Sequence, residues 1–196
     1  MFVFGLGSVS RYALLVALVL GWSLVIPILT AGQATTTKPP DLVDPWKPLR
    51  QFLGKWEGDS QGEPGVGKME REYGFVLGDK FLRVSNIAVY APQKKNPKGE
   101  THEDLGFFGY DRLSKKLIYR QFHIEGFVIQ YSLESISEDG RSFVFTSTAI
   151  ENIRAGWVAR ETYRFLSNDE FIETFALAGP GKAFETYSET RFCRKR

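Results

Sequence analysis

The stretch Trp157 to Leu177, WVARETYRFLSNDEFIETFAL, decides how the rest of the chain is read. Two runs of alternating apolar and polar residues flank Ser167-Asn168-Asp169, three residues that favour a turn. Successive side chains of a strand point to opposite faces, so a two-residue period marks a half-buried strand, and a polar break between two such runs marks a hairpin. The more apolar face carries Trp157, Ala159, Glu161, Tyr163 and Phe165, then Phe171, Glu173, Phe175 and Leu177. Each strand therefore sets a glutamate among aromatic rings.

The same pattern runs back to Lys55 and on to Cys193. It predicts strands over Lys55 to Gln61, Gly67 to Val76, Lys80 to Tyr90, Glu103 to Asp111, Lys116 to His123, Phe127 to Glu134, Ser142 to Ile150, Trp157 to Leu166, Glu170 to Leu177 and Ala183 to Cys193. Turn residues separate them, as in Leu77-Gly78-Asp79, Glu138-Asp139-Gly140 and Gly179-Pro180-Gly181. Only Asp44 to Leu53, with Pro45 and Pro48 near its start, reads as a short N-terminal helix. Ten strands without helical crossovers point to an all-β protein, an antiparallel up-and-down barrel of about ten strands, because closure removes the edges of a long sheet. A sandwich is the alternative.

Choosing the more apolar face of each strand also turns polar residues inward. Arg71, Gln121, His123, Tyr131, Glu161, Tyr163 and Glu173 share that face with Phe and Trp, and Ala149, Phe184 and Thr186 are placed there too. An isolated buried charge is costly, so Arg71, Glu161 and Glu173 can face inward only if they pair, meet water or meet a ligand. Those seven residues are the candidate ligand-binding set, lining a cavity with aromatic walls that suits a small hydrophobic or amphipathic ligand. Alternatively, Glu161 and Glu173 lie outside beside Arg160 and Arg164.

Composition narrows the function. Among 196 residues there are 25 Lys plus Arg and 23 Asp plus Glu, a net charge of +2 that Arg194, Lys195 and Arg196 at the terminus account for. No basic face for nucleic acid follows. One Cys forbids an intrachain disulfide, and two His with one Cys exclude a three-histidine zinc site and a Cys-rich metal site. No resident metal and no cofactor is expected. Haem is the alternative, with His123 as its ligand, whereas His102 follows a Lys-rich loop and reads as exposed. Gly62 to Lys68 has phosphate-loop spacing but runs into Met69 within a hairpin, no Gly-x-Ser-x-Gly elbow exists, and Cys193 has no base nearby in sequence. No catalytic residue is assigned. An isomerase or hydrolase using Glu161 or Glu173 as base is the enzymatic alternative.

Between Arg11 and Lys38 no charged residue occurs, and Tyr12 to Leu29 is almost wholly apolar. Small residues in Thr30-Ala31-Gly32-Gln33-Ala34 follow. Residues 1–34 therefore read as a signal peptide, or as a membrane anchor if uncleaved, and would place the folded part outside the cytoplasm, secreted or periplasmic. Residues 35–45 read as a Thr- and Pro-rich linker and 46–196 as the barrel domain.

Pro48-Leu49-Arg50-Gln51-Phe52-Leu53-Gly54-Lys55-Trp56-Glu57-Gly58 is similar to the opening of calycin-type barrels, the lipocalin and fatty-acid-binding-protein group, in which Gly-x-Trp follows a short helix and Trp closes one end. With Gly78 to Arg83 and Leu105 to Asp111, the chain resembles a bacterial domain family of unknown function related to nitrobindin. That resemblance implies a ten-stranded barrel with an internal cavity. Nitrobindin-like members hold haem through a histidine late in the chain. Here Phe184 to Phe192 contains no His, so that ligand does not carry over.

Overall fold

Alternation over eight to twelve residues and a turn after each run give ten strands. The computed structural model describes residues 44–196, so the signal or anchor segment and most of the linker lie outside the described residues. The strands are β1 (Gly54–Gly62), β2 (Gly65–Val76), β3 (Phe81–Tyr90), β4 (Glu100–Asp111), β5 (Lys116–His123), β6 (Val128–Ile136), β7 (Ser142–Glu151), β8 (Val158–Ser167), β9 (Glu170–Ala178) and β10 (Glu185–Arg194). Each pairs antiparallel with its neighbours in sequence, and β10 returns to β1, placing Arg194 opposite Trp56. The result is one closed up-and-down barrel, and no second sheet of a sandwich is present among the described residues.

One end is plugged. The single 3-10 helix among the described residues, Lys47–Phe52, begins Lys47-Pro48, where proline's fixed φ and missing N–H cost nothing, and it buries Leu49 and Phe52 completely. Phe52 packs edge-on against Tyr163 and Phe165, with ring centroids 5.2 and 4.8 Å away. Trp56 donates its indole N–H to the Phe52 carbonyl at 2.7 Å. The Arg194 guanidinium lies 4.1 Å over the Trp56 ring and donates to the carbonyls of Leu53, Gln51 and Asn168. Helix, first strand and last strand are thus joined at one point.

Above this plug lies an aromatic layer in which Tyr119 stacks on Phe108 at 4.1 Å. Gly106 makes the stack possible: a Cβ there would fall 2.5 Å from a Tyr119 ring carbon.

Two irregularities reverse the inward face near the open end. The β6–β7 register shifts between Gln130 and Tyr131, so Ala149 is exposed while Ile150 borders the interior. The β9–β10 register shifts between Thr186 and Ser188, and Phe184 lies outside under the Arg160 guanidinium, 4.1 Å from its ring. A bulge inserts one residue and so flips every side chain beyond it. For this reason Ala149, Phe184 and Thr186 do not take the inward positions expected of them, and Trp157, ahead of β8, is 42% exposed.

Candidate functional site

The barrel opens at the end opposite the plug into a cavity of about 390 Å³. Phe127, Ile150 and Leu177 line its apolar upper wall, and deeper in, Ile129 and Phe175 pair with Gln121 and Glu161 in a floor that also holds Arg71, Asn86, Asp104 and Glu173. Of the seven residues expected to face a ligand, Arg71, Gln121, His123, Glu161 and Glu173 border this space. Tyr131 and Tyr163 lie beneath it, 0% and 1% exposed. Tyr131 still reaches the floor through a 3.4 Å hydrogen bond to Gln121, whereas Tyr163 packs against Phe52, Phe145 and Phe171.

The buried charges are linked. Arg71 on β2 forms an ion pair with Glu173 on β9, and its Nε donates to Asn86 Oδ1 at 3.0 Å. Asn86 Nδ2 donates to Asp104 Oδ2 at 2.8 Å, and Gln121 Nε2 donates to the other Asp104 oxygen at 3.0 Å. The chain of bonds runs from Glu173 to Tyr131 across the barrel. Glu161 adjoins this chain at Glu173, and its Oε2 is buried with no hydrogen-bond partner. Both glutamates are on the interior face, so the solvated arrangement beside Arg160 and Arg164 does not occur.

At the rim the network continues into two histidines. His102 Nε2 lies 3.6 Å from Asp104 Oδ2 and 3.3 Å from His123 Nδ1, and His102 Nδ1 lies 2.7 Å from Glu125 Oε1. His123 stacks on Phe127 at 4.0 Å, and its Nε2 is buried without a partner.

No family model and no curated protein matches the sequence. Among solved structures, the chain is similar to Rv2717c from M. tuberculosis, with 17% identity and a TM-score of 0.56 over 80% of this chain and 100% of that one. The S-type phycobiliprotein lyase CPES from Guillardia theta aligns at 15% identity and a TM-score of 0.45, over 74% of this chain and 89% of that one.

The fold is a calycin-like barrel.

Electrostatics separate the groups inside this calycin-like barrel. Burial, reinforced by the neighbouring Glu173 carboxylate, pushes the Glu161 carboxyl well above the usual range, against the pull of Arg71. The shift favours the protonated, neutral form of Glu161. Burial works to raise Asp104 too, but the His102 contact, the Arg71 charge and the Gln121 hydrogen bond outweigh it, and its carboxyl is held below the usual range. Asp104 and then Glu125, opposed by partial burial, push His102 up to about 9. Burial pulls His123 down to about 4.

Asn86, Asp104 and His102 belong to this site and are absent from the residues expected there. One signal could have found the last two. β4 starts at Glu100 rather than Glu103, and that longer strand puts His102 and Asp104, two residues apart, on one face. In the calycin-like barrel Asp104 pairs directly with His123 across β4 and β5, so the register brings the three side chains together.

Proposed function

We propose that the protein is a non-catalytic carrier that holds one small amphipathic molecule in the open end of its barrel, outside the cytoplasm. Glu161 carries this reading. A buried polar atom left unpaired costs about 1–3 kcal/mol, and Glu161 Oε2 is such an atom on the floor of a cavity large enough for a small organic molecule. A ligand whose polar end reaches Glu161 recovers that cost, while Phe127, Ile129, Ile150, Phe175 and Leu177 cover its apolar body.

The charge pattern favours a neutral polar end, such as a hydroxyl or amide, over a carboxylate. Arg71 already serves Asn86, Tyr73 and Glu173, and an incoming anion would meet Asp104 and Glu173. The apolar run Tyr12 to Leu29 supports a location outside the cytoplasm, with membrane contact through that segment alone if it is retained.

Native mass spectrometry of the protein isolated from its own compartment tests this reading. A discrete added mass, kept by Glu161→Gln and lost by Glu161→Leu, is expected. Recovery at the bare-chain mass, with no uptake of neutral amphipathic probes, would overturn it.

Haem is a second reading, favoured by the buried, unpartnered Nε2 of His123. His102 occupies the Nδ1 side, so Nε2 is the atom His123 would present to iron, and the stack on Phe127 would hold the ring. Added haem would then give a Soret band that His123→Ala loses; a protein that stays colourless excludes it.

A further inference from the structure

We infer that His102, Asp104 and His123 form a binding site for a divalent transition-metal ion at the rim of the cavity. One ligand atom from each lies within 4.8 Å of the others, all three residues border the cavity, and no sulfur is among them. This site is independent of the carrier reading, which rests on Glu161 at the floor.

Two of the three distances are close to the edge of a coordination polyhedron. Two atoms bound about 2.0–2.1 Å from one tetrahedral ion lie about 3.3 Å apart. His102 Nε2 is 3.3 Å from His123 Nδ1 and 3.6 Å from Asp104 Oδ2. Those two edges need shifts of only a few tenths of an ångström to receive an ion, and the third atom pair, within 4.8 Å, closes as the Asp104 and His123 side chains turn toward it.

The surroundings match what ligating groups require. A metal-bound imidazole is oriented by a hydrogen bond from its other nitrogen, commonly to a carboxylate. His102 has that bond through Nδ1 to Glu125. Asp104 is held by Asn86 on one oxygen and Gln121 on the other, which fixes the carboxylate while lone pairs remain. The strands set the geometry: His102 and Asp104 lie on one face of β4, and β5 pairs His123 with Asp104.

Two imidazoles and one carboxylate select the ion's class. Magnesium and calcium take oxygen-only shells, and Cys-rich sites suit softer ions, whereas this set suits Zn²⁺, Co²⁺, Ni²⁺ or Fe²⁺. Three protein ligands leave at least one coordination position, and it faces the cavity, where water or a donor atom of a bound molecule completes the shell.

The test uses the full-length chain, stripped with chelator and titrated with Co²⁺ and with Zn²⁺. One equivalent of Co²⁺ is expected to bind with visible d–d absorption, and Zn²⁺ to displace it. His102→Ala, His123→Ala and Asp104→Asn should each weaken binding at least tenfold, and Glu125→Gln by about tenfold. Glu134→Gln, on the outer wall, should leave it unchanged. Because a rim histidine variant could misfold, the wild-type Co²⁺ complex is also read by proton NMR, where two paramagnetically shifted exchangeable imidazole N–H signals are expected. Their absence, or Co²⁺ bound no more tightly by the wild type than by the folded double variant H102A/H123A, would overturn the assignment. Glu161→Leu should leave metal affinity intact, so loss of the carrier reading and loss of this one are distinguishable.

Discussion

Arg71 on β2 and Glu173 on β9 form an ion pair across the interior of the barrel, bridging the span of wall made by β1 and β10. Both side chains are buried, and Arg71 also lies 4.4 Å over the Phe192 ring. Glu173→Gln leaves the guanidinium without its counter-charge and should cost about 3–5 kcal/mol of stability. The double change R71M/E173L, which replaces both charges with apolar volume, should recover most of it. Chemical denaturation of the two variants measures both, and a single substitution costing less than 1 kcal/mol would contradict the cross-barrel pairing.

Glu161 should make stability fall as pH rises. Its folded-state value lies above its unfolded one, so the native chain holds the proton more tightly. The stability this confers is complete below the unfolded value of about 4.3 and is lost as pH rises through the raised native value. In Glu161→Gln that decline should disappear. Melting temperatures across the pH range decide the matter: wild type and variant differing by a constant amount at every pH would refute it.

Arg194 should be worth more than a surface arginine. Replacing it with Ala removes its hydrogen bonds to three carbonyls and its position over Trp56, a loss of about 2–4 kcal/mol. Arg194→Lys keeps the charge without the planar fork and should restore less than half. The readout is the unfolding midpoint; a full rescue by Lys would show that charge alone matters there.

Gly106→Ala should cost about 1–3 kcal/mol by overpacking. The added methyl would press on Tyr119, already stacked between Phe108 and Tyr131. Pairing the change with Tyr119→Leu should relieve the strain, and a stability cost that persists unchanged in the double variant would count against this account.

The ten strands are legible in the sequence because each has a two-residue period and a turn at its end. Arg71, Gln121, Glu161 and Glu173 are legible as interior groups for the same reason: each occupies an alternating position among aromatic residues. Ala149 and Phe184 are not, because a single extra residue in a bulge changes the facing without altering composition. Tyr163 and Glu161 share a face on β8, yet only Glu161 reaches the cavity, since depth along the axis depends on how the plug fills from the other end. His102 is hidden by polar neighbours. Thr101 and Glu103 give β4 no apolar alternation at its start, and the backbone pairing with Ala88 on β3 extends the strand there regardless.

The pairing of β1 with β10 has a kinetic consequence. Nine of the ten strand pairings join neighbours along the chain, so they can form one after another as the polypeptide emerges. The seam alone joins the two extremities of the domain, and closing so long a loop must wait for the final strand. Until Phe192 and Arg194 arrive, β1 and β9 are raw sheet edges able to recruit another chain. The same guanidinium that rests on Trp56 therefore marks the end of the interval in which a newly made molecule is vulnerable to aggregation.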